Sequence, residues 1–89
     1  MVNSNVVQEL ISDLERLSTS LTALGKTGPA EFVKHQSNIM STGAPDQQVG
    51  ALNELYTCGA IAQYAGFTVD QENQLDRIVI LSKQLLEEI

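Results

Sequence analysis

Val7, Leu10, Leu14, Leu17, Leu21 and Leu24 follow one another at steps of three and four. Those steps return to one side of a 3.6-residue helix. The opening segment therefore predicts an α-helix over about 4–24 with a single apolar seam, widened by Val6 and Ile11. Asn5, with Gln8 three residues on, is placed to cap its start. The stretch "STSLT" weakens the second half, since Ser and Thr compete for backbone hydrogen bonds; packing through Leu21 and Leu24 has to hold it. A second segment, about 29–41, gathers Phe32, Val33, Ile39 and Met40, with Gln36 set between them. A fourth, about 69–88, repeats the seam with Leu75, Ile78, Ser82, Leu85 and Ile89, flanked by Val79, Leu81 and Leu86. Thr68 and Gln71 have the spacing of a reciprocal cap at its head, and Asp70 suits the positive end of the helix dipole.

The third segment, about 45–65, is patterned differently. Its stripe of Leu52, Leu55, Gly59, Ala62 and Gly66 sheds side chains through "CGAIAQYAG". A mid-helix glycine costs roughly 1 kcal/mol against alanine, which a close helix crossing recovers through added contact. The leucine seams of the first and fourth segments complement such a stripe. A pocket for an apolar ligand at Gly59 and Ala62 is the competing reading. The opposite flank carries Tyr56, Ala60, Tyr64 and Phe67, and Ile61 breaks the polar face. In the fourth segment Ile80 has only polar neighbours three and four residues away: Asp76, Arg77, Lys83 and Gln84. These six, Tyr56, Ala60, Ile61, Tyr64, Phe67 and Ile80, form the expected partner-binding surface.

Glycine and proline punctuate the chain. Gly25, Gly43 and Gly66 each follow a periodic segment, where a left-handed residue commonly closes a helix. Pro29 and Pro45 suit first turns. The fold class expected is all-α: one domain, 1–89, built as an antiparallel four-helix bundle whose second helix is short.

Charge narrows the partners. Eleven acids against five bases give a net charge of −6. Phosphate backbones are bound by Lys/Arg neutralisation, so neither nucleic acid nor an anionic membrane is expected; a protein with a basic patch is. No apolar run is long enough to cross a bilayer. The start "MVNSNVVQELISDLE" lacks the basic-then-apolar order of a signal peptide, and a cytoplasmic protein is expected. With one cysteine, Cys58, there is no internal disulfide or multi-cysteine zinc site.

Little in the chain resembles catalytic machinery. Histidine phosphotransfer domains resemble it in size and helicity, which would give His35 a phosphoryl group to carry. Their motif sets lysine and glycine three and four residues after the histidine, where "HQSNI" has Asn38 and Ile39. Acyl carrier proteins are similar in length, acidity and helix number, yet the carrier serine's "DSL" is missing. Colicin-type immunity proteins resemble the chain in bulk properties, without their paired tyrosines. Cys58 has only His35 as a conceivable base. Glu9–Asp13 and Glu72–Asp76 have helical i, i+4 spacing without a Glu-x-x-His partner, and are expected to solvate outer faces. No catalytic, cofactor or metal residue is assigned. The expected function is a non-catalytic protein–protein interaction module: a regulator, inhibitor or chaperone-like adaptor, possible also as a homodimer. The alternatives are the small-molecule sensor and, remotely, phosphotransfer.

Overall fold

In the computed structural model, residues 4–57 and 66–88 are described. Four helices make up most of them: α1 Ser4–Ala23, α2 Thr27–Thr42, α3 Pro45–Tyr56 and α4 Val69–Glu88, with no strand among the described residues. The chain is all-α.

The seams read from the spacing point inward. Leu10, Leu14, Leu17 and Leu21 of α1 meet Val33 and Met40 of α2, Leu52 and Leu55 of α3, and Leu75, Ile78 and Leu85 of α4 in one core. Ser82, in the same row of α4, is fully buried and satisfies its hydroxyl on Ile78 O at 2.7 Å. The main packing runs in pairs: α1 packs on α2 and α4, and α3 packs on α4 and α2. Side-chain bonds fix the direction of two of these pairs. Arg77 Nε donates to Asp13, while Gln71 Nε2 donates to Ser20, so numbering rises along α1 as it falls along α4. Gln48 donates to Met40 O and Gln36 to Glu54, which sets α2 and α3 in opposite directions too.

The ends of the helices hold the corrections. Leu24 was expected to continue the first seam, but α1 stops at Ala23 and Leu24 is exposed. The stop is a Schellman motif. Gly25 N–H donates to Thr22 O and Lys26 N–H to Leu21 O, with Gly25 at φ +75°, which turns the chain away one residue early. Asn5 lies inside α1, so it is not the cap. The Ser/Thr stretch stays helical, held by the buried Leu17 and Leu21, and its hydroxyls donate to helix carbonyls: Thr19 to Glu15 O, Thr22 to Ser18 O. Ser18 instead reaches Ala30 O on α2 at 3.2 Å.

α2 is longer than expected. At 16 residues it starts two positions earlier and runs one further. Gly28 and Pro29 fall where backbone N–H groups have no intrahelical partner, so neither interrupts it. Gly43 closes α2 in an extended conformation, not a left-handed one (φ −74°, ψ 157°). Its need for glycine is steric: a Cβ there would stand 2.5 Å from Ile39 O.

Pro45 opens α3 as expected, and Gln47 Oε1 accepts from Ala44 N–H at 3.1 Å. The continuation expected through 65 falls on residues outside those described; α3 is described over Pro45–Tyr56. It ends at Tyr56, and Thr57 turns out of helical geometry (φ −103°, ψ 6°). The Thr57 hydroxyl bonds Asn53 O and Glu54 O, a local alternative to the helix ladder. Residues 58–65, with Cys58 and the Gly59/Ala62 stripe, lie outside the described residues, as does Ile89.

The reciprocal cap at the head of α4 is present. Thr68 N–H donates to Gln71 Oε1 at 3.0 Å, and Gln71 N–H to Thr68 Oγ1 at 3.1 Å. Gln71 does more than cap, because it is fully buried. Its Oε1 also accepts from Lys26 Nζ, and its Nε2 donates to Ser20 Oγ. Lys26 adds a 2.6 Å bond to Gly66 O and sits over the Phe67 ring. One amide thus ties the start of α4 to the end of α1.

Candidate interaction surface

Of the six residues expected to bind a partner, three can be placed. Ile80 projects from α4 at 65% exposure among Asp76, Arg77, Lys83 and Gln84, all exposed. Tyr56 ends α3 at 43% exposure. Phe67 is a correction: it is 8% exposed and joins the core. Left-handed Gly66 and the cap at Thr68 turn it inward, and Lys26 covers its ring at 5.8 Å from the centroid. Ala60, Ile61 and Tyr64 lie outside the described residues.

Two apolar residues that the periodicity did not single out as surface join Ile80 and Tyr56. Leu24 is 56% exposed and Val69 is 72% exposed. The first is pushed out by the early stop of α1, the second by the cap that buries its neighbours Phe67 and Gln71. Leu24 follows the C-terminus of α1, Tyr56 ends α3 and Val69 opens α4. Given the opposed run of α1 and α4, Leu24 and Val69 stand at one end of the molecule, whereas Tyr56 ends the shorter α3 two residues past Glu54, which pairs with Gln36 in the middle of α2. Ile80 lies eleven residues further along α4, roughly 16 Å away at 1.5 Å per residue.

Open clefts flank α2 on both sides. One, of about 630 Å³, lies against α1 and is lined by Ser18, Thr19, Thr22, Lys34, Ser37 and their neighbours. Its α1 hydroxyls already donate to carbonyls. The other, of about 420 Å³, lies between α2 and α3 and is lined by His35, Ile39, Gln47, Gly50, Ala51 and Glu54. It has a polar anchor at its edge. Gln36, 1% exposed, donates from Nε2 to Glu54 Oε2, and its own Oε1 has no hydrogen-bond partner. The sequence carried half of this signal, a lone amide inside an apolar row. The other half, that Glu54 of another helix stands opposite, is tertiary.

Among the described residues no group of three His, Cys, Asp or Glu side chains could hold a metal ion. His35 is exposed on α2. Asp13, expected to solvate an outer face, is nearly buried: Arg77 Nε donates to it at 2.7 Å and reaches Glu9 at 3.9 Å. This acid pair therefore works as a clamp between α1 and α4. No described helix is long and apolar enough to cross a membrane. Comparison with known protein families, with curated proteins and with solved structures gives no match.

Proposed function

We propose that this chain is a small, non-catalytic protein–protein interaction module, a regulator, inhibitor or adaptor acting in the cytoplasm. Its frame is one antiparallel four-helix bundle spanning 1–89. The observation that carries the reading is the placement of its exposed apolar side chains. Leu24 and Val69 stand at one end, Tyr56 is exposed at the end of the shorter α3, and Ile80 interrupts an otherwise polar face of α4. Grouped apolar exposure marks association surfaces more often than isolated residues do. The net charge of −6 selects a partner with a basic patch, since opposite potentials steer encounter.

The test uses the full chain as bait in a native lysate, with retained proteins read by mass spectrometry. Ile80→Glu and Val69→Glu are the comparison baits. Both positions are exposed, so each variant should melt within the range of an ordinary surface change, about ±0.5 kcal/mol. Each should lose the retained partner. A partner held equally by both variants would refute this surface. Light scattering of the purified protein covers the homodimer: twice the monomer mass, lost in the variants, makes the partner a second copy.

A further inference from the structure

We propose that the cleft between α2 and α3 receives an arginine side chain of the partner protein, its guanidinium on the Glu54 carboxylate and its stem against Ile39 and Ala51. The proposal rests on the interaction reading above and gives it a recognition element of defined chemistry.

Three observations converge on it. The first is a held carboxylate. Glu54 is exposed, yet its Oε2 accepts a hydrogen bond from Gln36, an amide buried to 1% exposure. A buried donor fixes an acceptor that solvent would otherwise leave free to rotate, so less ordering remains to be done when a cation arrives. The second is charge. Among the described residues Glu54 takes part in no ion pair; Arg77 is engaged on α1 by Asp13 and Glu9. Glu54 is also the only ionic side chain between Asp46 and Asp70. The third is space. Gly50 precedes Glu54 by four residues, one turn along the same face of α3, and a Cβ built there would meet nothing within 4 Å. The notch it leaves opens onto Ile39 and Ala51, and the cleft of about 420 Å³ falls within the usual range of binding pockets.

Arginine fits this arrangement better than lysine. Its planar fork matches a carboxylate with two parallel N–H···O bonds, whereas an ammonium is a point charge that keeps its water. Its three-carbon stem is apolar and lies along hydrophobic walls. A metal ion would need more ligands than one carboxylate, and an anion would be repelled.

The experiment titrates the ¹⁵N-labelled full chain with the tripeptide acetyl-Gly-Arg-Gly-amide, followed by amide shifts. The lysine and citrulline tripeptides are run beside it. Saturable shifts centred on Gly50, Ala51 and Glu54 are expected, with a dissociation constant in the millimolar range. Citrulline, which keeps the shape and loses the charge, should give no saturable shift, and lysine should bind more weakly. Glu54→Gln should weaken the arginine peptide about fivefold, the loss of one exposed charge contact. Gly50→Leu should abolish binding by filling the notch, while melting no lower than the parent.

Absence of saturation, equal affinity in Glu54→Gln, equal binding of lysine, or shifts spread over Asp70, Glu72 and Asp76 would each overturn the proposal. Glu54→Gln keeps the test decisive should Gly50→Leu fold poorly. The two readings fail separately. A lysate partner lost by Ile80→Glu but kept by Glu54→Gln sinks the cleft and spares the module. Saturable arginine binding with no protein partner does the reverse.

Discussion

Gln71 shows how much one side chain can organise. Its amide accepts from Thr68 N–H and Lys26 Nζ, donates to Ser20 Oγ, and is sealed from water. Replacing it by alanine removes the reciprocal cap and strands polar partners at a buried point. Gln71→Ala is expected to cost about 1–3 kcal/mol in urea denaturation, the sum of a lost cap and an unsatisfied buried group. A neutral result would mean water replaces the amide without loss. The sequence revealed this residue only in part. Thr68 and Gln71 three apart announce a cap, because capping is local. That the same amide would meet Ser20, fifty-one residues away, depends on packing no local pattern encodes. Asp13 carries the same lesson. Its spacing from Glu9 reads as a solvated acidic face, and only the approach of Arg77 converts it into a clamp.

At the scale of elements, interiors were more legible than ends. The rows Leu10–Leu14–Leu17–Leu21 and Leu75–Ile78–Ser82–Leu85 were read correctly, because a step of three or four residues is a geometric property of the helix itself. The ends were decided by single backbone choices. Gly25 takes φ +75° and expels Leu24, whereas Gly43 serves by having no Cβ to strike Ile39 O. Both are glycines after a helix, and the sequence gives no means of separating the two roles. α3 closes at Tyr56, where Thr57 leaves helical geometry; the pattern expected to continue lies outside the described residues. A pair of substitutions separates left-handed from ordinary glycine. Gly25→Ala should destabilise by about 1–2 kcal/mol, the cost of a Cβ in left-handed geometry. Gly50→Ala, inside α3 with open space around it, should stabilise by about 0.5–1 kcal/mol through reduced backbone entropy in the unfolded chain. Thermal melts of both variants give the comparison, and shifts of the same sign would contradict it. Exposure was legible where it depended on periodicity, as at Ile80. The reading failed at Phe67, where a turn at Gly66 redirected the side chain.

Over the whole molecule, a radius of gyration of 12.1 Å equals the value of about 12 Å expected of a folded chain of 89 residues. The length of 36 Å against cross-sections of 20 and 19 Å follows from helices about 30 Å long lying along one axis. The exposed apolar residues Leu24 and Val69 occupy one end of that axis, and the Glu54 cleft opens on its side between α2 and α3, with Tyr56 two residues beyond Glu54. A partner that engaged both would have to wrap from the tip onto a flank. The acidic balance of the chain would hold it at a distance from other anionic surfaces while drawing a basic one in.

The opposed run of α1 and α4, pinned by Asp13 to Arg77 and by Ser20 to Gln71, has a topological corollary. It brings the first turn of α1 and the last turn of α4 to the same pole, opposite Leu24 and Val69. A short flexible splice from residue 88 to residue 4 should therefore be tolerated, with new ends opened after Gly43. Such a circular permutant should keep the parent's helical circular dichroism and its cooperative melt; a molten or aggregated product would mean the two helices do not share that pole. Fluorophores or affinity handles attached at that splice would sit far from Leu24 and Val69, leaving that tip unencumbered.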